Sequence, residues 1–411
     1  MSRHGPLAAV AAATVFSVGG TRLSVIAIPW LVLTLTGSPV LTGLVGFAEL
    51  LPYVLVKALS GPLIDRLGAR RVAIWSDGLS TIAVLLVPLS FWLGWLSVWA
   101  LLPAVAVIGA LRAPADTAKQ ALTPDIAKLC AVPLERVTGI MGASDRLAGT
   151  LGAAAGAALI GFIGPVPALL VNALGFAMSG IILAVGVPPA GVAGAAGATG
   201  PAPAGYVTAF RDGWGVLRRD PVLVSLVIMI ACTNLFDQAY AIVLLPVWVK
   251  TSGLDVAWVG ILLATFSGGA IAGAAIAAAI GSRLPRLIVY TVGFICAGPV
   301  PYVLLALSVP LPVVIGVFVF SGFAAGFINP IIGAILFERI PGPMVGRVIA
   351  LVGALAWTLM PFGGLYAGVL VESSNIQTGL LVSAALYFLA TLAPVFVPSF
   401  RQMNRQPVAA Q

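Results

Sequence analysis

The sequence is poor in charge, in histidine and in cysteine, and each scarcity removes a class of protein. Only 8% of the 411 residues are Asp, Glu, Lys or Arg, against roughly 25% in a soluble domain. So few charges cannot cover a globule of this size, which excludes a soluble enzyme. The one histidine is His4. Haem bis-histidine ligation, zinc–histidine clusters and Ser–His or Cys–His pairs are thereby excluded, and no catalytic residue, metal site or cofactor is expected. Cys130, Cys232 and Cys296 are odd in number, and two of them fall in apolar runs, so no disulfide framework is implied.

What is present is apolar. Hydrophobic residues make up 60% of the chain and the mean hydropathy is +1.12, so the bilayer is the solvent for most of it. Long runs rich in Ala, Leu and Gly predict helices of roughly 20 apolar residues, not the alternating segments of about ten residues seen in membrane barrels. Twelve runs fall at about 7–34, 40–60, 72–93, 96–114, 139–163, 166–187, 222–248, 256–280, 286–308, 311–335, 344–371 and 376–398. The first extends to about Leu35, too long for a cleaved signal segment, and reads as a retained helix.

Charge sets the orientation. The odd-numbered gaps between runs hold one basic residue, Lys250, whereas the even-numbered gaps hold Arg66, Arg70, Arg71, Lys119, Lys128, Arg136 and others up to Arg347. By the positive-inside rule both termini are cytoplasmic and the protein sits in the inner membrane. The net charge of +8 then reports basic cytoplasmic loops; no nucleic-acid partner is expected.

The longest polar interruption divides the chain. Residues 1–187 form one six-helix half and residues 221–398 another, followed by a cytoplasmic tail, 399–411. Residues 188–220 are a cytoplasmic linker: a Pro/Gly/Ala-rich flexible piece, then an amphipathic helix, Tyr206 to Asp220, with Phe210, Trp214 and Leu217 on one face and Arg211, Arg218 and Arg219 on the other. A weak repeat supports the division: Pro29 and Gly43 have the same spacing as Pro246 and Gly260. Two parallel halves are a known transporter plan.

The stretch after the second run reads Gly61-Pro62-Leu63-Ile64-Asp65-Arg66-Leu67-Gly68-Ala69-Arg70-Arg71. Its glycines permit a tight helix-to-helix turn, Asp65 can face the positive N-terminus of a neighbouring helix, and the arginines suit anionic headgroups. It resembles the helix 2–3 signature of the major facilitator superfamily, departing only at Ala69. The resemblance implies an all-α integral membrane protein of twelve helices in two halves, with Gly61, Asp65, Arg66, Gly68, Arg70 and Arg71 as a latch on the cytoplasmic face in the outward-open state. Further stretches are similar to the drug-export branch that includes macrolide-efflux proteins and the enterobactin exporter: Ile26–Trp30 through Ser38, Ala113-Pro114 with Leu122-Thr123-Pro124, Arg219-Asp220-Pro221, and Pro341–Val348. The branch's helix 5 glycine motif is partly present as Gly139, Gly152 and Gly156, with Ala148, Ala153 and Ala157 in place of other motif residues; small-residue packing explains these positions equally well. The helix 4 arginine of proton-coupled relatives is expected to be missing, with Arg112 at the cytoplasmic end of its run.

Charges inside the runs are the remaining signal, because a mid-bilayer charge is costly unless paired or facing a cavity. Arg22 lies roughly 18 Å from the outer end of helix 1, and Glu49 and Asp237 roughly 15 Å deep, at about 1.5 Å per residue. The three are expected near the midplane, where Arg22 either neutralises one of the carboxylates or binds substrate. Asn234, Gln238 and Asn329 can add hydrogen bonds. Desolvation favours the protonated form of a carboxylate, which makes Asp237 and Glu49 the candidate proton carriers. Lys57, Asp77, Asp145 and Arg146 lie nearer the cytoplasmic ends and read as snorkelling residues or gate pairs. The expected function is not enzymatic. It is proton-coupled antiport, the efflux of drug-like or secondary-metabolite molecules by alternating access from a monomer in the bilayer. The alternative is transport of a specific anionic metabolite or siderophore with Arg22 as the anion site.

Overall fold

The computed structural model describes residues 4–189, 206–280, 283–307, 309–341 and 344–404. Most of the expected flexible linker, the end of the tail and part of the Pro341–Val348 stretch lie outside the described residues. Within them there are twelve helical spans long and apolar enough to cross a membrane: Gly5–Thr36, Pro39–Leu67, Ala69–Trp92, Val98–Cys130, Arg136–Ile163, Pro165–Gly186, Pro221–Thr251, Ala257–Ile280, Arg286–Ala306, Leu311–Arg339, Leu351–Ser373 and Ile376–Phe396. They are numbered span 1 to span 12 below. Large apolar side chains stand exposed along their outer faces, Phe162 at 89%, Trp75 at 71% and Leu59 at 70% among them. Apolar exposure on this scale needs a lipid cover.

Spans begin where the sequence supplies a cap. The side chains of Ser38, Ser97, Asp220 and Asn375 accept hydrogen bonds from the first free amides of spans 2, 4, 7 and 12. Proline follows directly at Pro39 and Pro221, where its missing N–H costs nothing. The connection between spans 2 and 3 is shorter than the sequence suggests. Helix continues through Pro62 and Asp65 to Leu67, and the chain turns only at Gly68, whose φ of 83° favours glycine. Span 4 also runs well past residue 114, as helix Val98–Ala121 followed by Thr123–Cys130.

Several spans are interrupted. Span 7 is α-helical over Pro221–Ala239, π-helical over Tyr240–Leu244 and α-helical again over Leu245–Thr251. Pro246 explains the widening, since its ring cannot sit against the carbonyl four residues back in a regular helix. Span 9 breaks at Gly298 before Pro299, and span 10 at Phe327. Span 11 joins two helices, Val345–Trp357 and Met360–Ser373.

The chain packs as two compact units. The first comprises Met1–Thr199 with Leu245–Leu263, the second Gly200–Leu244 with Ala264–Gln411. Inside the first unit, Lys250 Nζ donates to the carbonyl of Leu33, near the C-terminal end of span 1, at 2.5 Å. The small residues of spans 1, 2, 4 and 5 let backbones touch. A Cβ on Gly109 would collide with the carbonyl of Glu49, and one on Gly152 would meet the backbone of Gly19 at 2.8 Å. The helix Tyr206–Arg219 belongs to the second unit; its Leu217 is buried while Trp214, Arg211, Arg218 and Arg219 are exposed.

Gly109→Leu is expected to force spans 2 and 4 apart and to destabilise the protein by about 1–3 kcal/mol, the usual cost of overpacking. Gly61→Leu, at a position with no neighbour within 4 Å of a Cβ, is expected to be near neutral apart from lipid contact. Thermal unfolding of the two purified variants in one detergent checks the difference.

Candidate functional site

Charges inside the first unit are organised along the contact between spans 2 and 4. Because Gly109 brings the two backbones together, Arg112, one turn further on, reaches Glu49: NH1 to Oε1 is 2.7 Å, with both residues buried. Glu49, Tyr53 and Lys57 recur at every fourth residue and so share one face of span 2. The Arg112 guanidinium lies 4.4 Å from the Tyr53 ring centroid, a cation–π contact. The Tyr53 hydroxyl donates to Asp116 Oδ2 at 3.0 Å and accepts from Lys57 Nζ at 3.2 Å. Two acids and two bases thus balance in one cluster. Nearby, Asp77 is fully buried between Lys119 Nζ, at 2.9 Å, and the Ser179 hydroxyl, at 2.6 Å, tying spans 3, 4 and 6.

Three sequence expectations change here. Arg112 is not at the end of its helix: span 4 continues for two more turns as α-helix, placing Arg112 fourteen residues from Val98. Glu49 is neutralised by Arg112, not by Arg22. Of the two readings of Asp77, snorkelling or pairing, the structure shows pairing, and its partner Lys119 is a buried helical residue, not a loop one. The missed signal was periodic: Arg112, Asp116 and Lys119 share a helical face, which ending the run at residue 114 hid.

Arg22 itself is exposed and pairs with no carboxylate among the described residues. Its guanidinium lies beside Gly149 of span 5, where a Cβ would stand 3.6 Å from Nε. The helix 5 glycines divide by role. Gly152 and Gly156 fit against Gly19 and Leu23 of span 1, whereas nothing stands within 4 Å of a Cβ on Gly139. Helix packing accounts for the first two.

In the helix 2–3 signature, Arg70 makes the contacts that the fold uses. Its Nε and NH2 donate at 2.6 Å to the carbonyls of Val187 and Ala184, closing the C-terminus of span 6. A cation there also meets the negative end of the helix dipole. Asp65, Arg66 and Arg71 are exposed, and Gly61 and Gly68 half-buried. No hydrogen bond of the Asp65 side chain to a helix N-terminus occurs among the described residues.

The second unit carries its charge differently. Asp220 caps span 7 and pairs with Arg339 at 2.9 Å, and Arg286 forks onto Glu338 with two bonds of 2.6 Å. These pairs sit at span ends. Deeper among the described residues of the unit stands only Asp237, sixteen residues from Pro221 and fourteen from Thr251. Its carboxylate is exposed, and Oδ1 accepts from the Tyr387 hydroxyl at 2.8 Å. Aromatic rings stand behind it. Phe236 stacks on Tyr387 at 5.5 Å and meets Tyr366 edge-on at 5.8 Å; Tyr302 packs on Tyr387 and Tyr240 and donates to the Phe236 carbonyl at 2.7 Å. Asn234 donates to the carbonyl of Ala356 at 2.9 Å, next to the break in span 11. Gln238 is half-buried against Gly363, and Asn329 is exposed. Among the described residues no group of three or more His, Cys, Asp or Glu side chains could hold a metal ion.

Twelve spans long and apolar enough to cross a bilayer define a multi-pass membrane protein, and comparison with known proteins gives its family. The chain matches the Major Facilitator Superfamily over residues 10–362 and 227–409, and it belongs to that family. It is 30% identical over 412 residues to the multidrug efflux pump Tap of Mycobacterium tuberculosis, covering 99% of this chain and 97% of that one. To Tap of Mycolicibacterium fortuitum it is 29% identical over 413 residues, with 98% of each chain covered. Among solved structures, the nucleoside transporter NupG aligns with a TM-score of 0.75 at 14% identity, over 98% of this chain and all of that one. A D-xylose–proton symporter aligns at 0.69 and 15%, over 96% and 98%. These structures share the fold.

Glu49→Gln is expected to strand the Arg112 charge and to destabilise the protein by about 3–5 kcal/mol, whereas Glu49→Gln combined with Arg112→Met is expected to recover most of the loss. Arg22→Ala, which breaks no ion pair, is expected to unfold within about 1 kcal/mol of wild type. A double-mutant cycle by thermal or denaturant unfolding reads both.

Proposed function

We propose that this chain exports drug-like or secondary-metabolite molecules from the cytoplasm by alternating access, driven by inward proton flow. It works as a monomer in the inner membrane, with both termini cytoplasmic. Likeness to efflux pumps along nearly the whole chain supports the export of drug-like compounds, and the basic residues of the even-numbered connections support the orientation.

The observation that carries proton coupling is Asp237. A carboxylate at mid-span with a hydroxyl for its only hydrogen-bond partner among the described residues is uncharged when protonated and costly when bare. Proton and substrate then compete for one state of the protein, and their alternation couples the two flows. Glu49 is the weaker carrier, because Arg112 already compensates its charge. In proteoliposomes with an imposed pH gradient, Asp237→Asn should abolish uphill accumulation of substrate while downhill exchange persists. Full gradient-driven accumulation by this variant would remove Asp237 from the coupling.

The latch reading rests on the helix 2–3 signature. Asp65 is exposed, so Asp65→Asn should leave folding intact and still lower transport, by disfavouring one of the two access states. Wild-type turnover in a reconstituted Asp65→Asn protein would refute it.

A second reading, transport of an anionic metabolite, draws on Arg22, whose guanidinium is exposed beside Gly149 without a carboxylate partner. Arginine stays ionised when desolvated. If this reading holds, Arg22→Ala weakens binding of anionic compounds selectively.

A further inference from the structure

We propose that the helix Tyr206–Arg219 is a docking surface for anionic phospholipid headgroups, carried by Arg211, Trp214 and Arg218. Such docking does not depend on what the protein transports or on which leaflet is cytoplasmic.

Connectivity fixes the depth of this helix. A single residue, Asp220, separates Arg219 from Pro221, where span 7 begins. Consecutive Cα atoms stand about 3.8 Å apart, so Arg218 and Arg219 lie within one helical turn of the point where the chain enters its apolar span. The helix is also held in place. It packs on the helices Pro221–Ala239 and Val345–Trp357, and its Gly213 and Leu217, one turn apart, are buried. With that face against the protein, helical spacing decides what the flank presents. Arg211, Trp214 and Arg218 are three and four residues apart and form one stripe. All three are exposed, Trp214 at 42%.

The chemistry of the stripe selects its partner. Arg286 and Arg339, at span ends of the same unit, are already bonded to Glu338 and Asp220. Asp220, which follows the helix directly, is thereby taken. No ion pair to Arg211, Arg218 or Arg219 occurs among the described residues, and the helix sequence sets three arginines against one aspartate, Asp212. Unanswered cations at the edge of a bilayer meet the negative surface potential of anionic lipid, worth about fivefold in affinity for each arginine. A guanidinium also matches the phosphate oxygens with two parallel hydrogen bonds. Trp214 stands between the two arginines, and an indole prefers the headgroup level, where one edge is apolar and the other wet. An acidic soluble protein would satisfy the charge, but it would have to displace the leaflet from a helix tied to the start of span 7.

The test uses the full-length protein in phosphatidylcholine vesicles carrying brominated phosphatidylglycerol or brominated phosphatidylcholine at equal mole fraction. Bromine quenches a nearby indole. Because the chain has nine tryptophans, the Trp214 signal is taken as the difference between wild type and Trp214→Phe. Phosphatidylglycerol is expected to be enriched beside Trp214 about tenfold or more over phosphatidylcholine at low salt, and less at high salt. Arg211→Gln combined with Arg218→Gln should bring the preference to within about twofold of none, with thermal unfolding in pure phosphatidylcholine unchanged. Arg211→Lys with Arg218→Lys should keep most of it. Equal quenching by the two lipids in wild type overturns the proposal, as does a preference that survives the glutamine pair. Loss of the preference in millimolar inorganic phosphate at constant ionic strength would mark a site for the free ion and overturn it too. So would a Trp214 that neither lipid quenches but polyglutamate perturbs, the mark of an acidic protein partner.

Discussion

Inside a bilayer a charge has no water to lean on, and the arrangement of this protein follows from how each mid-span charge is answered. Glu49 is answered by Arg112, Asp77 by Lys119 and Ser179, and Asp116 by Tyr53 with Lys57 behind it. Each answer comes from a different span, so the need to neutralise charge is also a rule about which helices stand together. Breaking one partner leaves a buried charge bare, a larger loss than the pair's net contribution. Among the described residues Arg22 and Asp237, and Asp145 and Arg146 of span 5, are mid-span charges without an ion pair.

Neutralisation across spans requires backbones to come close, and small residues make that possible. Gly109 against Glu49 sets the distance at which Arg112 finds its partner; Gly152 and Gly156 do the same for spans 1 and 5. Without a hydrophobic drive between helices in lipid, such close packing and the hydrogen bonds it permits supply the specificity. Backbone breaks obey the same economy. The Arg70 side chain satisfies carbonyls at the end of span 6, and Asn234 reaches the Ala356 carbonyl beside the break in span 11. The π-helical turn that accommodates Pro246 begins three residues after Asp237, so the widened, less regular part of span 7 adjoins its one deep carboxylate.

The number of spans was readable from composition and run length, because twenty apolar residues in succession have few other solutions. The helix 2–3 signature was readable too, as was the family it resembles. Run ends were less so: Pro62, Asp65, Asp116 and Lys119 look like loop residues in the sequence, yet all are helical, and partners on other spans absorb Asp116 and Lys119. Ending span 4 at residue 114 turned Arg112 into a terminal residue and concealed the face it shares with Asp116 and Lys119.

By itself, then, the sequence determined the solvent, the helical class, the number of crossings and which residues carry rare charge, since these depend on composition and on periodicity along one chain. Only the tertiary structure decided who neutralises whom. Glu49 and Arg112 are 63 positions apart and Asp237 and Tyr387 are 150 apart, and nothing local relates them. The pairing is fixed by which helix faces meet, and in a bilayer that is settled by glycine contacts and hydrogen bonds between spans, not by the pattern within any one of them.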